Sequence, residues 1–163
     1  MNEKYFPPDE KTLNQAEYAI HVQAVINTRN NFPGLRFFHI PNKPGDAADG
    51  FFKKAMGARA GASDLLFSWN DRTWETGYQR QGGLLEVGVI EIKAPRGVLE
   101  PDQNRFLSSY SLIGWRTGIA RSCREIHDTL KEWGLRPKSE LIIEPDTRSE
   151  SQKKLDSFNF YKP

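Results

Sequence analysis

The sequence contains a single cysteine, Cys123, among its 163 residues. One thiol cannot form an internal disulfide and excludes a zinc site built from several thiolates, so any metal would be bound through oxygen or imidazole ligands. Its place near Arg121 and Arg124, at the start of a predicted helix, would lower a thiol pKa. No matching base accompanies it, so the better interpretation is a small buried residue.

The sequence also lacks a zinc-binding histidine motif and a phosphate-binding P-loop. The three histidines lack the spacing of zinc ligands, and "HIPNKPGD" is typical of a strand end followed by a turn, although His39 could still line a site. The glycines around Gly61 are not followed by Gly-Lys-Ser/Thr, which argues against a P-loop ATPase.

Long apolar runs and strong net charge are also missing. No run approaches the length needed to cross a bilayer, and "MNEKYFPPDEKT" has no apolar centre of a secretory signal. We therefore expect a soluble, intracellular protein. A net charge of +2 does not by itself indicate a nucleic-acid binder, so a basic surface would have to be local.

The chain length and the 37% hydrophobic content fit one ordinary domain. The predicted order is α-β-β-β-α-β-α, with capping-box spacings at Thr12/Gln15 and Ser122/Glu125. The predicted strands are "LRFFHIP", "SDLLFSW", "LLEVGVIEIKA" and "WRTGIARS". We expect a polar arm over residues 1–11, a domain over residues 12–134, and an appendage over residues 135–163.

The strand "GVIEIKAPRG" carries two opposite charges before it ends at Ala94-Pro95. Side chains alternate in a strand, so Glu91 and Lys93 share one face. Taken alone, the pair would be solvated where the strand leaves the core. A second anomaly changes that interpretation: Asp64 opens the neighbouring strand, where its carboxylate can lie beside Glu91. Two adjacent carboxylates repel each other unless a cation lies between them.

These residues predict a divalent-metal site. Mg²⁺ or Mn²⁺ prefers oxygen ligands, which Asp64, Glu91 and the carbonyl of Ile92 would supply. Lys93 would then assist hydrolysis by orienting water and stabilising the charge that develops on a phosphoryl group.

The same residues resemble the PD-(D/E)xK nuclease superfamily. Within it, "GARAGASDLLF", "GVIEIKAPRGVLEPDQNRFL" and "GIARSCREI" are similar to the virus-type replication-repair nuclease (VRR-NUC) domain, from about Glu17 to Gly134. The proline that often precedes the aspartate is Ser63 here. The resemblance implies a restriction-endonuclease-like αβββαβ core with a mixed four-stranded sheet. It also implies a metal-dependent phosphodiesterase, a hydrolase acting on nucleic acid, with standalone viral members similar to the Holliday-junction resolvases of DNA repair.

Two further side chains fit that site. Glu17 lies on the core-facing stripe of the first helix, where a charge needs a partner, and the resemblance places a metal-site glutamate there. The alternative is a solvated residue at the edge of the stripe. Gln103 resembles a glutamine of the family and would bridge Lys93 or the attacking water. The alternative is an ordinary polar residue at a helix start.

Basic residues near the site are candidates for phosphate contact. Lys53, Lys54 and Arg59 precede Asp64 in a loop of small residues, and Arg96 follows Lys93. Arg105, Arg121 and Arg124 are more simply surface or ion-paired residues.

The preferred function is a metal-dependent endonuclease that cuts branched DNA as a homodimer, because resolving a four-way junction needs two symmetric cuts. The aromatic side chains expected to serve the interface are Phe67, Trp69, Trp74, Tyr78 and those of "FNFYKP"; Trp74 and Tyr78 could instead stack on exposed bases. Alternatives are a monomeric flap nuclease, a binding module that does not cleave, and an unrelated α/β domain.

Overall fold

The computed structural model describes residues 10–40, 61–70, 84–148 and 153. Among these residues the order of elements is the predicted α-β-β-β-α-β-α. The elements are α1 (Glu10–Asn31), β1 (Arg36–His39), β2 (Leu65–Asn70), β3 (Leu85–Ile92), α2 (Pro101–Leu112), β4 (Arg116–Ala120) and α3 (Cys123–Glu132).

The four strands form one mixed sheet in the order β1-β2-β3-β4. The first three strands are an antiparallel meander, and β4 returns parallel to β3 after the α2 crossover. A parallel pair needs such a crossover because its strands cannot be joined by a tight turn. The predicted α/β class, with a mixed four-stranded sheet in αβββαβ order, is confirmed.

Helices cover both faces of the sheet. On one face, α1 and α3 pack through a cluster that includes Ile20, Leu65, Ile90 and Ile126. On the other face, α2 packs through a second cluster, formed by Ala62, Val89, Phe106 and Leu107. Because β3 is covered on both sides, its carboxyl-terminal half is a continuous buried run rather than an alternating one.

Two predicted interface aromatics belong to this core. Phe67 is fully buried and Trp69 is 8% exposed, so the expectation that they serve a dimer interface is wrong. Trp69 stacks on Trp133 with ring centroids 5.7 Å apart. Gly88 makes room for that indole, because a Cβ there would come 2.7 Å from Cη2 of Trp133. Trp74, Tyr78 and the "FNFYKP" end lie outside the described residues.

Helix starts differ from the predicted caps in two places. α1 begins at Glu10, so Thr12 lies inside the helix and is not its N-cap. Glu and Lys at positions 10 and 11 are good helix formers, which favours the longer helix. Ser122 caps α3 as predicted by accepting from the Glu125 N–H, but the Glu125 carboxylate accepts from the Arg121 N–H instead of completing the box.

Cys123 is buried at the start of α3. Its predicted role as a small buried residue is confirmed, whereas the expected lowering of its pKa is wrong. Burial and the neighbouring Glu144 carboxylate raise the pKa of the thiol to about 12. That carboxylate accepts from the Cys123 and Arg124 N–H groups and occupies the positive end of the helix.

Residues 135–148 contain neither helix nor strand and run along α1 and α3. The amides of Asn27 and Asn31 donate to the carbonyls of Ile143 and Leu141, each at 2.8 Å. Glu140 lies 2.9 Å from His127 Nε2. The division of the chain at residue 134 stays a prediction, and residues 1–9 of the predicted arm lie outside the described residues. No helix among the described residues has the length and apolar composition needed to span a membrane.

Candidate active site

The site lies where β2 begins and β3 ends. Antiparallel pairing places Leu65 opposite Ile90, so Asp64 and Glu91 are the next pair along the two strands. One oxygen of Asp64, Oδ2, accepts from the Ile92 N–H at 2.8 Å. Asp64 and Glu91 are therefore neighbours, as predicted, and a hydrogen bond to the backbone of β3 holds the Asp64 carboxylate in place.

Glu91 and Lys93 are both buried at the end of β3, at 2% and 6% exposure. The alternative in which the strand leaves the core and both charges are solvated is wrong. Lys93 Nζ lies 3.4 Å from Glu91 Oε1. A buried ion pair has a large desolvation cost, so its presence calls for further compensating contacts or for a function.

The two oxygens of Glu91 have different surroundings. Oε1 accepts from Gln103 Nε2 and lies beside Lys93. Oε2 is buried and has no hydrogen-bond partner within residues 10–40, 61–70 and 84–148. A buried carboxylate oxygen without a donor is unfavourable unless a cation binds it.

The electrostatics of the pair agree with that conclusion. Burial and, after it, the nearby Asp64 raise the pKa of Glu91 to about 8, and Lys93 opposes the rise. Burial also raises the pKa of Asp64, although the Ile92 N–H opposes that shift. Both groups resist carrying their charges side by side, and a divalent cation would relieve that repulsion.

Glu17 reaches the site from α1, which packs on one face of the sheet. It is partly buried on α1, and its Oε1 accepts from the Ala94 N–H at 3.3 Å, one residue beyond Lys93. Its charge also influences the pKa of Asp64 and of Glu91. The structure thus brings Glu17 to the carboxylates, and the alternative of a solvated stripe edge is wrong.

Gln103 contacts a different group from the one predicted. Its Nε2 donates to Glu91, whereas the prediction had it bridging Lys93 or a water. Its Oε1 accepts from the Glu100 N–H at 2.9 Å and forms a capping box at the start of α2. One end of the amide therefore lies in the site and the other serves the helix start.

Some of the predicted basic residues lie in the part of the chain that the structure describes. Arg96 is exposed in the loop after Lys93, which leaves it accessible from solvent beside the site. Arg105 pairs with Asp102, and Arg121 donates to the Gly97 carbonyl at 3.3 Å, as expected of ordinary structural arginines. The predicted phosphate contacts of Lys53, Lys54 and Arg59 lie outside the described residues.

Sequence reasoning missed a second histidine beside the site. His21 lies one helical turn after Glu17 on α1, and its ring is edge-to-face with His39 at 4.7 Å. His39 Nδ1 is 3.1 Å from the Asp64 carbonyl oxygen, so His39 lines the site as considered. Burial lowers the pKa of His21, while Asp64 opposes the shift. The sequence feature that could have indicated His21 is its four-residue spacing from Glu17, which places the two side chains on adjoining turns of the same helix face.

The donor set fits a hard divalent cation. No group of three or more His, Cys, Asp or Glu side chains stands at metal-holding distance within the described ranges. Mg²⁺ does not require one, because it commonly binds one or two carboxylates and keeps several waters. Oxygens of that kind come from Asp64, from the Ile92 carbonyl and from Glu91, whose Oε2 has no hydrogen-bond partner in the described part of the chain.

Comparisons with known proteins give a weak likeness to a solved structure. No family model matches the chain, and no curated protein matches it. A solved structure titled "VRR_NUC domain protein" is 18% identical, with a TM-score of 0.48, and the match covers 77% of this chain and 90% of that one. At that identity and TM-score, an assignment of function has to come from the site itself.

Proposed function

We propose that the chain is a metal-dependent endonuclease that hydrolyses phosphodiester bonds in DNA. The observation that carries the proposal is the buried Glu91 of β3 beside the half-buried Asp64, which immediately precedes β2; one Glu91 oxygen is unpartnered among the described residues, and Lys93 lies alongside. An acidic pair of this kind is costly to fold, and metal binding supplies the compensation.

Asp64, Glu91 and the carbonyl of Ile92 would hold Mg²⁺ or Mn²⁺, with Glu17 at the edge of the same site. A bound divalent ion polarises a phosphoryl oxygen and lowers the pKa of a coordinated water. The chain's own contribution is to hold both carboxylates in place: Asp64 through the Ile92 N–H, and Glu91 through Gln103.

Lys93 supplies a positive charge fixed inside the site. Its ammonium group is buried and lies 3.4 Å from Glu91, so its position is restricted before substrate arrives. A preorganised cation stabilises negative charge that develops on the phosphoryl oxygens and does not need to reorganise during the reaction. We therefore assign to Lys93 the stabilisation of the transition state.

Branched DNA is the proposed substrate, and a homodimer the proposed form. Lys53, Lys54, Arg59 and Arg96 would contact backbone phosphates without reading sequence. The described part of one chain supplies one such carboxylate pair, and a two-fold dimer would place two sites symmetrically on a four-way junction. With Phe67 and Trp69 in the core, the dimer proposal rests on that symmetry argument.

The test combines cleavage with binding for the wild type and for Asp64→Asn. The substituted amide retains an oxygen that can accept from the Ile92 N–H but loses the charge, so the variant should fold, bind DNA and fail to cut. Wild-type protein that shifts linear and branched DNA without cutting either in Mg²⁺ or Mn²⁺ is a binding module. Protein that neither binds nor cuts DNA is an unrelated domain.

Oligomeric state and substrate structure are tested together. Light scattering should give a dimer mass, and the protein should cut a four-way junction in preference to a 5′ flap of equal length. A monomer mass with flap cutting and an intact junction would overturn the dimeric resolvase and leave the nuclease proposal standing.

A further inference from the structure

The first turn of α2 contacts both chain segments that carry the proposed metal-binding carboxylates. Gln103 donates to Glu91 at the end of β3. Gly61, in the segment just before Asp64, lies against the backbone of Asp102 and Gln103. The first turn of α2 therefore contacts the backbone segment that precedes Asp64 and the side chain of Glu91.

The orientation of the Gln103 amide is determined by the helix cap. Oε1 is the acceptor for the Glu100 N–H at 2.9 Å, so the donor end of the same amide must face Glu91. Glu91 Oε1 is thereby occupied and its carboxylate plane restricted. Oε2 has no hydrogen-bond partner among the residues that the structure describes, so it is the oxygen left for another partner.

Gly61 is at a position that tolerates no side chain. Its φ is +75°, and a Cβ would overlap the Asp102 carbonyl group and come 2.6 Å from Gln103 N. The colliding atoms are backbone, so they cannot move aside as a flexible side chain does. Any larger residue would have to push the segment before Asp64 away from α2.

We propose that Gly61 and Gln103 form a clamp on the first turn of α2 that fixes the spacing of the Asp64 and Glu91 carboxylates. Both are positioning residues, since they act through the carboxylates and not on substrate. The proposal rests on the proposed function, because the spacing matters only if the pair binds a metal. It adds the expectation that metal affinity depends on Gly61, although Gly61 itself does not bind the metal.

The structure contains a matched control for Gly61. Gly34 also has a positive φ, +92°, but a Cβ there would meet nothing within 4 Å. Gly34→Ala therefore introduces the backbone strain alone, whereas Gly61→Ala introduces strain and the collision with α2. A difference between the two variants isolates the clamp from the general effect of alanine at a left-handed position.

The first experiment is Mn²⁺ titration calorimetry on both variants, after circular dichroism has shown that each is folded. Gly61→Ala should weaken Mn²⁺ binding about 10–100-fold, the range for outer partners of metal ligands, and Gly34→Ala should match wild type. At saturating Mn²⁺, kcat of Gly61→Ala should fall while KM for DNA stays unchanged, because the phosphate-binding residues are untouched.

A second pair of variants decides the matter if Gly61→Ala does not fold. Gln103→Ala removes the contact with Glu91 and the half of the capping box in which the Gln103 side chain accepts from the Glu100 N–H. Glu100→Ala removes the carboxylate of the capping box and leaves Gln103 facing Glu91. Gln103→Ala should weaken Mn²⁺ binding, and Glu100→Ala should not, although both lose part of the same helix cap.

The outcomes separate this inference from the proposed function. If wild type neither binds Mn²⁺ nor cuts DNA, the function fails and the clamp fails with it. If wild type does both, and neither Gly61→Ala nor Gln103→Ala differs in Mn²⁺ affinity from its control, the function stands and the clamp is overturned.

Discussion

The two ends of β3 each carry an ion pair with a nitrogen–oxygen distance of 3.4 Å. At the start of the strand, Glu86 pairs with Arg116, and the two side chains are 32% and 44% exposed. At its end, Glu91 pairs with Lys93, and the side chains are 3% and 7% exposed. The surroundings, and not the contact distance, distinguish a surface ion pair from a candidate catalytic one.

The difference follows from what packs around each end. Water solvates Glu86 and Arg116, so their attraction is screened and contributes little. Glu91 accepts from Gln103 of α2 and has Asp64 beside it, and burial raises its pKa to about 8. Only the second pair calls for a further cation, which is why we assign chemistry to that end alone.

The largest expected effect is the loss of cleavage in Glu91→Gln. The variant keeps the shape and the oxygen that accepts from Gln103, but it loses the charge needed by a divalent metal. Cleavage should fall below detection, while Glu86→Gln on the same strand should cut at the wild-type rate. Equal activity of the two variants in a Mn²⁺-dependent cleavage assay would remove the proposed distinction between the ends.

The next effect is on turnover in Lys93→Ala. Its kcat should fall on the order of 10²–10³-fold, because a preorganised charge is lost where the transition state becomes negative. Affinity for DNA should persist, since the proposed phosphate-contacting residues remain. The matched substitution, Arg116→Ala, should leave kcat unchanged in the same steady-state assay. A loss of DNA affinity alone in Lys93→Ala would make Lys93 a phosphate clamp.

A smaller effect concerns the pH dependence of stability without metal. The folded-state pKa of Glu91 is about 8, above its ordinary value of 4.5, so between these values the folded state binds more protons than the unfolded state. Stability should therefore fall as pH rises from about 5 to about 8, with Tm decreasing about 2–4 °C for each kcal/mol lost.

Thermal unfolding in EDTA measures this slope. Glu91→Gln removes the titrating group and should flatten the dependence on pH, whereas Glu86→Gln should keep the wild-type slope. Parallel curves for wild type and Glu91→Gln would show that the Glu91 carboxyl titrates normally in the folded protein.

The smallest effect is the stability change on breaking the exposed pair. Glu86→Gln and Arg116→Ala should each lower the free energy of unfolding by about 0.2–1 kcal/mol, as exposed ion pairs do. Urea denaturation at neutral pH measures it. A loss of several kcal/mol would mean that the exposed Glu86–Arg116 pair contributes as much to stability as a buried ion pair, and would contradict the comparison between the two ends of β3.

The element order and the Asp64–Glu91 pair could be predicted from the sequence because both depend on local rules. Strand alternation places Glu91 and Lys93 on one face, and turn residues define the strand ends. The target of Gln103 was missed because it depends on which end of an amide a helix cap occupies. The core position of Trp69 was missed because it depends on Trp133, which lies far away in the chain.

Residues 135–148 show the same limit. The predicted appendage stays a prediction, but its polar composition does not indicate which contacts it makes. Asn27 and Asn31 of α1 donate to its carbonyls, and the Glu144 carboxylate accepts from the first N–H groups of α3. The two asparagine contacts join residues 116 and 110 positions apart, and such contacts between side chain and backbone leave no periodic signal in the sequence. They become visible only when the helices are placed.

The most direct test of the proposed metal site is DNA cleavage by the purified protein after treatment with EDTA, followed by addition of Mn²⁺ or Mg²⁺. We expect no cutting in EDTA, cutting restored by either ion in wild type, and no restoration in Asp64→Asn or Glu91→Gln. Cleavage that persists in EDTA, or that returns equally in either variant, would contradict the assignment of Asp64 and Glu91 as the metal site of a nuclease.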